Sequence, residues 1–101
     1  MRVELHPEAR AEFRTAAIWY DEREIGLGDA FITDINLTLQ LIAANPQMFP
    51  SWPGSATGIR RAVVSKFPFV IAFEVEPDRI LVLAITHGRR RPLYWLTRTA
   101  R

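Results

Sequence analysis

The side chains best suited to chemistry crowd into the second half of the chain. They are Arg60 and Arg61, Lys66, His87 and the run Arg89, Arg90 and Arg91, with Tyr94 and Trp95 close behind. Arginine and lysine hold phosphate or carboxylate oxygens, and a guanidinium does so through a planar two-pronged fork. His87 belongs to the residue type most often used to move a proton in catalysis. Two readings follow. In the catalytic one, Arg61, Lys66, His87 and Arg89 combine phosphate-binding cations with one acid or base. In the recognition one, Arg60, Arg61, His87, Arg89, Arg90 and Arg91, with Tyr94 and Trp95 beside them, form a contact surface for carboxylate or phosphate groups of a partner. The aromatic pair is equally compatible with a place in the core.

Other chemistries find little support. The 101 residues include no cysteine, so neither a disulfide nor a thiolate metal site is available. No paired acidic or histidine ligands stand at metal-binding spacing, and neither a Ser–His–Asp set nor a phosphate-cradling glycine loop is present. No metal or other cofactor is expected. The N-terminus has no apolar core of signal-peptide length, and the longest wholly apolar run, FVIAF at 69–73, is too short to span a bilayer. A single cytoplasmic domain over residues 1–101 is expected, with no membrane partner.

The net charge of +2 conceals a division. Residues 1–58 hold four basic and eight acidic side chains, and residues 59–101 hold nine and three. The arginines therefore form a basic half that an acidic partner would find by steering.

The elements that must position these groups can be read in order. VEL is a short strand. Pro7 and Glu8 open a helix, whose apolar stripe is Ala9, Phe13, Ala17 and Tyr20. Gly26 and Gly28 are expected to end it and permit a turn. A second helix is expected from about Asp29, with Phe31, Ile35, Leu39 and Ile42 inward, stopping before Asn45-Pro46. Leu37 and Leu41 widen its stripe and suggest burial on more than one side. Residues 46–58 read as a loop pinned by Phe49 and Trp52. Three strands follow at 59–64, 69–75 and 80–87, forming an antiparallel meander.

Strict alternation sorts the meander into two faces. Phe69, Ile71, Phe73, Val75, Ile80, Val82 and Ala84 should face the helices. Val70, Ala72, Glu74, Leu81, Leu83, Ile85 and His87, joined by Arg61 and Val63, should face away. That second face is too apolar for water, so either the tail RPLYWLTRTAR or another chain must cover it. Trp19, Tyr20 and Trp52 read as core residues. The fold class is α+β, in the order β-α-α-β-β-β, with an antiparallel sheet, a helical hairpin on one face and a short basic C-terminal segment.

In this order HPEA, WYDEREIGLGDAF, NPQMFP, IRRAVVSKFPFVIAFEV and VLAITHGRRRPLYW resemble the RelE/ParE superfamily of toxins from bacterial type II toxin–antitoxin systems. The likeness spans nearly the whole chain and is closer to the ParE branch. It implies a growth-blocking protein neutralised by a cognate antitoxin wrapped around it, with higher-order toxin–antitoxin assembly open. RelE-like members cleave mRNA on the ribosome, usually with an arginine opening the middle meander strand and a histidine or tyrosine just past the last one. Here Pro68 and the pair Arg89 and Arg90 stand at those places. ParE-like members bind DNA gyrase without catalysis. The resemblance thus implies a gyrase inhibitor with Arg89, Arg90 and Arg91 as contacts. A RelE-type ribonuclease is the alternative, and a basic nucleic-acid-binding module is a third reading.

Overall fold

The computed structural model describes residues 1–53, 58–91 and 93–99. The part of the expected loop at 54–57, and positions 92, 100 and 101 of the tail, lie outside the described residues. The elements run β1 (Val3–Leu5), α1 (Pro7–Arg23), α2 (Leu27–Ala44), a 3-10 turn (Pro46–Met48), β2 (Arg60–Val63), β3 (Phe69–Val75), β4 (Ile80–His87) and a second 3-10 turn (Leu96–Arg98). Among the described residues no helix is long and apolar enough to cross a membrane.

His6 caps α1, its Nδ1 accepting the backbone N–H of Glu8 at 3.1 Å, and Pro7 takes the first helical position. That supplies one acceptor for the four N–H groups left over at a helix start. The turn after α1 needs only Gly26, whose φ of 90° no side chain adopts cheaply. Gly28 is a helical residue, because α2 begins at Leu27 and not near Asp29. Its bare Cα is required for another reason. A Cβ there would lie 2.6 Å from the carbonyl oxygen of Ala17, so Gly28 lets α2 press directly against α1.

The sheet order is β1-β4-β3-β2. The β2–β3–β4 meander is antiparallel as expected, but β1 runs parallel to β4, pairing Val3 with Ile80 through Leu5 with Val82. The sheet is therefore mixed. The helices cover one face, where Phe31, Ile35, Ile42, Ile71, Phe73, Ile80 and Val82 form the main core with Phe13 and Tyr20. Leu37 and Leu41 do not join it. Each is 53% exposed, on the side of α2 turned away from the sheet.

Buried Asp34 links α2 to the β2–β3 turn. Its carboxylate accepts the Ser65 hydroxyl and the Lys66 backbone N–H, both at 2.9 Å.

One irregularity redistributes the faces. Ala72 pairs with Ala84 but Phe73 pairs with Val82, so Leu83 is an extra residue in β4. Such a bulge reverses the alternation beyond it. Leu83 and Ala84 consequently share the far face, and Ile85 turns in beneath the helices. The expected placements of Ala84, Ile85 and His87 are corrected accordingly, while every earlier position stands. The far face is closed from within the chain: Trp95 is fully buried there, edge-on to Trp52 at 5.0 Å, above Ile59, Ala72, Leu81, Leu83 and Ala84.

Two substitutions test this packing. Gly28→Ala gains about 1 kcal/mol of helix propensity but forces backbone apart, and overpacking of this kind costs about 1–3 kcal/mol. A net loss is expected in urea unfolding. Asp34→Ala removes the acceptor of the part-buried Lys66 N–H and of the Ser65 hydroxyl and should cost about 1–3 kcal/mol, with little change in helical circular dichroism.

Candidate functional site

The site begins with an unpaired strand edge. β1 is three residues long, so it covers β4 only as far as Val82, and the outer edge of β4 beyond that point is open. A buried backbone edge must find partners, and side chains provide them. Glu12 of α1 accepts the Ile85 N–H at 3.1 Å, and Arg98 of the tail donates to the Leu83 carbonyl at 3.0 Å. Glu12 and Arg98 pair with each other at 3.0 Å, their side chains only 15% and 9% exposed.

Glu12 gathers more of the tail. The Tyr94 hydroxyl donates to its second oxygen, and Arg90 approaches the same oxygen at 3.7 Å. The guanidinium of Arg90 lies 3.9 Å over the Tyr94 ring and that of Arg98 lies 5.0 Å from it, a stacked geometry that favours arginine over lysine. Burial, reinforced by the bond to Glu12, pushes the Tyr94 hydroxyl above the ordinary tyrosine value and keeps it a donor. For Arg98, burial opposes the charge, but the bond to Glu12 and the field of nearby Glu12 and Glu8 hold it above the usual value.

Beside this cluster lies a groove of about 770 Å³ between α1 and the ends of β3 and β4. Ala11, Thr15, Ala16, Trp19, Tyr20 and Phe69 give it an apolar floor, and Glu12, His87, Arg90 and Arg98 line its polar side. Trp19 is 48% exposed, so it belongs to this surface and not to the core. His87 packs edge-on against Phe69 at 5.7 Å, and its Nδ1 accepts the Arg89 N–H at 3.1 Å. With Nδ1 accepting in this way, neutral His87 presents Nε2–H as a donor.

The structure separates several residues that the sequence grouped. Arg60 is a structural tie, bonding the Phe49 carbonyl at 2.6 Å and the Gln47 side chain at 2.8 Å. Arg61 pairs with Ala72 on the far face, 5.9 Å from the Trp52 ring, whereas His87 faces the helices. The Leu83 bulge is the reason, and it splits the set Arg61, Lys66, His87 and Arg89 across the sheet. Lys66 sits exposed in the β2–β3 turn next to the β4 end, where the Gly88 N–H bonds the Pro68 carbonyl at 2.8 Å. Trp95 is core, the second of the two places open to it, and is not available as a binding anchor. Tyr94 is half-buried and turned inward on Glu12. Arg89 and Arg91 are exposed, and their side chains make no hydrogen bond or ion pair among the described residues.

What can this arrangement do? Among the described residues no three His, Cys, Asp or Glu side chains could hold a metal ion. The geometry offers an apolar groove with a polar side, bordered by a cationic loop. Glu12 and Arg98, which build it, escaped the sequence reading. Glu12 falls one residue beside the apolar stripe of α1, at a spacing typical of a solvated flank, and only the tertiary fold reveals the strand edge that it serves.

Comparison with the curated proteins gives no match. Among solved structures, a chain from the chromosomal ParDE toxin–antitoxin system of P. aeruginosa superposes with a TM-score of 0.75 at 18% identity, over 86% of this chain and 95% of that one. That likeness shows the shared fold. A family model described as the ParE toxin of the type II toxin–antitoxin system parDE matches residues 3–92. With nearly the whole chain matched, and with the strand, helical hairpin and meander in the expected order, the protein belongs to the ParE toxin family.

Proposed function

We propose that this toxin arrests growth by binding DNA gyrase and blocking replication, not by cleaving RNA, and that a cognate antitoxin neutralises it. The observation that carries this reading is the separation of Arg61 from His87 across the sheet. A phosphodiester-cleaving site needs its acid or base and its phosphate cations on one side of the scissile bond's surroundings. Here His87 faces α1 with Nδ1 already engaged by the Arg89 N–H, and Arg61 lies behind the sheet.

Arg89 and Arg91, exposed and without side-chain partners among the described residues, are the contacts offered to gyrase or its DNA. The antitoxin occupies the groove along α1, laying an apolar helix face on Ala11, Thr15, Trp19 and Phe69. Acidic residues beside that face would meet Arg90 and the loop, speeding encounter by steering. Covering the groove brings the antitoxin against the base of the arginine loop, so one partner would exclude the other.

The test uses purified gyrase in a supercoiling and DNA-cleavage assay. Arg89→Glu with Arg91→Glu should raise the half-inhibitory concentration at least about tenfold, a change of about 1.4 kcal/mol, while circular dichroism and thermal midpoint stay near wild type. Undiminished inhibition by that double variant would remove the arginines from the target surface.

A further inference from the structure

The arginine loop is fastened at both ends. At its start, β4 ends at His87 and the Gly88 N–H bonds the Pro68 carbonyl. At its end, Tyr94 and Trp95 straddle the edge of β4. Tyr94 reaches Glu12 on the helix side, and Trp95 is buried against Trp52 on the far side. Immediately before Tyr94, Leu93 adopts a left-handed φ of 67°. That conformation costs a side-chain-bearing residue about 1 kcal/mol or more and persists only where neighbours enforce it.

We propose that Glu12 is the positioning residue of the arginine loop: it latches the chain at Tyr94 and Arg98, and so fixes how Arg89, Arg90 and Arg91 are presented to the target. This rests on the reading of those arginines as the recognition surface. No other acidic side chain among the described residues contacts Tyr94 or Arg90, whereas Arg98 has a second, longer ion pair to exposed Glu8 at 3.6 Å. Glu12 is also the partner of the Ile85 N–H, so the latch is set directly into the sheet and its position is rigid. Its loss would leave the strained Leu93 turn held by the far-face packing of Trp95 and by Arg98 on the Leu83 carbonyl and on exposed Glu8. A loop free to sample many conformations pays their entropy when it binds.

The discriminating variant is Glu12→Gln. Its side-chain oxygen still accepts the Ile85 N–H, but the amide carries no charge for Arg90 and Arg98. Tyr94→Phe is the milder companion, removing one latch bond and no charge. Hydrogen exchange of the whole chain should show amides 88–98 exchanging at least about tenfold faster in Glu12→Gln, with those of α2 and β3 unchanged. Gyrase inhibition should weaken severalfold, and Tyr94→Phe should fall between. Gly28→Ala serves as the control, since it lowers global stability away from the loop and should leave inhibition intact.

Unchanged exchange at 88–98 would overturn the latch. Faster exchange with full inhibition would overturn the positioning role while sparing the latch itself. If Gly28→Ala weakens inhibition as much as Glu12→Gln, the effect is one of stability alone and the proposal falls. Should Arg89→Glu with Arg91→Glu leave inhibition untouched, the underlying recognition reading fails, a result that the exchange data separate from failure of the latch.

Discussion

The structure turns on the shortness of β1. Three residues of parallel pairing leave β4, the longest strand, with an open outer edge beyond Val82. An open edge invites pairing with another chain, and proteins commonly blunt it with charge or cover. Here both devices are used at once. Glu12 and Arg98 satisfy the Ile85 N–H and the Leu83 carbonyl, and the segment that brings Arg98 also carries Trp95 over the far face. One ion pair of low exposure thus closes the sheet, ties the tail to α1 and completes the second apolar cluster. A charge pair buried to this degree is costly unless its remaining hydrogen-bonding capacity is used. The edge of β4, Tyr94 and Arg90 use it.

The bulge at Leu83 sits at the point where β1 stops, and the two features act together. It places Leu83 and Ala84 side by side on the far face, where they meet Trp95, and turns Ile85 toward α1, where its N–H meets Glu12. In a regular strand His87 would share a face with Arg61. The extra residue puts it beside Phe69 and the groove instead. The arrangement of cations and histidine is therefore a consequence of local strand geometry, and it favours a surface that recognises over a site that reacts.

Much of this was legible in the sequence. Both helices and all four strands were located nearly to the residue, the helices because each presents one apolar stripe to the core and the meander strands because they are short apolar runs bounded by turn residues. The apolar excess on the far face correctly required a cover, and the tail with its aromatic pair was one of two candidates. What alternation cannot reveal is a bulge, since an inserted residue leaves no compositional mark when its neighbours Val82, Leu83, Ala84 and Ile85 are all apolar. Glu12 was hidden for a similar reason: a carboxylate beside a helical stripe looks solvated until the strand it faces is known. Gly28 was legible as necessary but assigned the wrong role, as a turn residue where the structure uses it for close helix contact.

The central claim is that this ParE-family toxin acts by recognition at the gyrase–DNA step and not as a ribonuclease. Pulse-labelling of DNA and protein synthesis in cells, begun immediately after inducing the toxin alone, tests it most directly. DNA synthesis is expected to fall first while translation continues. An early collapse of translation with DNA synthesis sustained would contradict the claim and direct attention back to Lys66, His87 and Arg89 as a catalytic group.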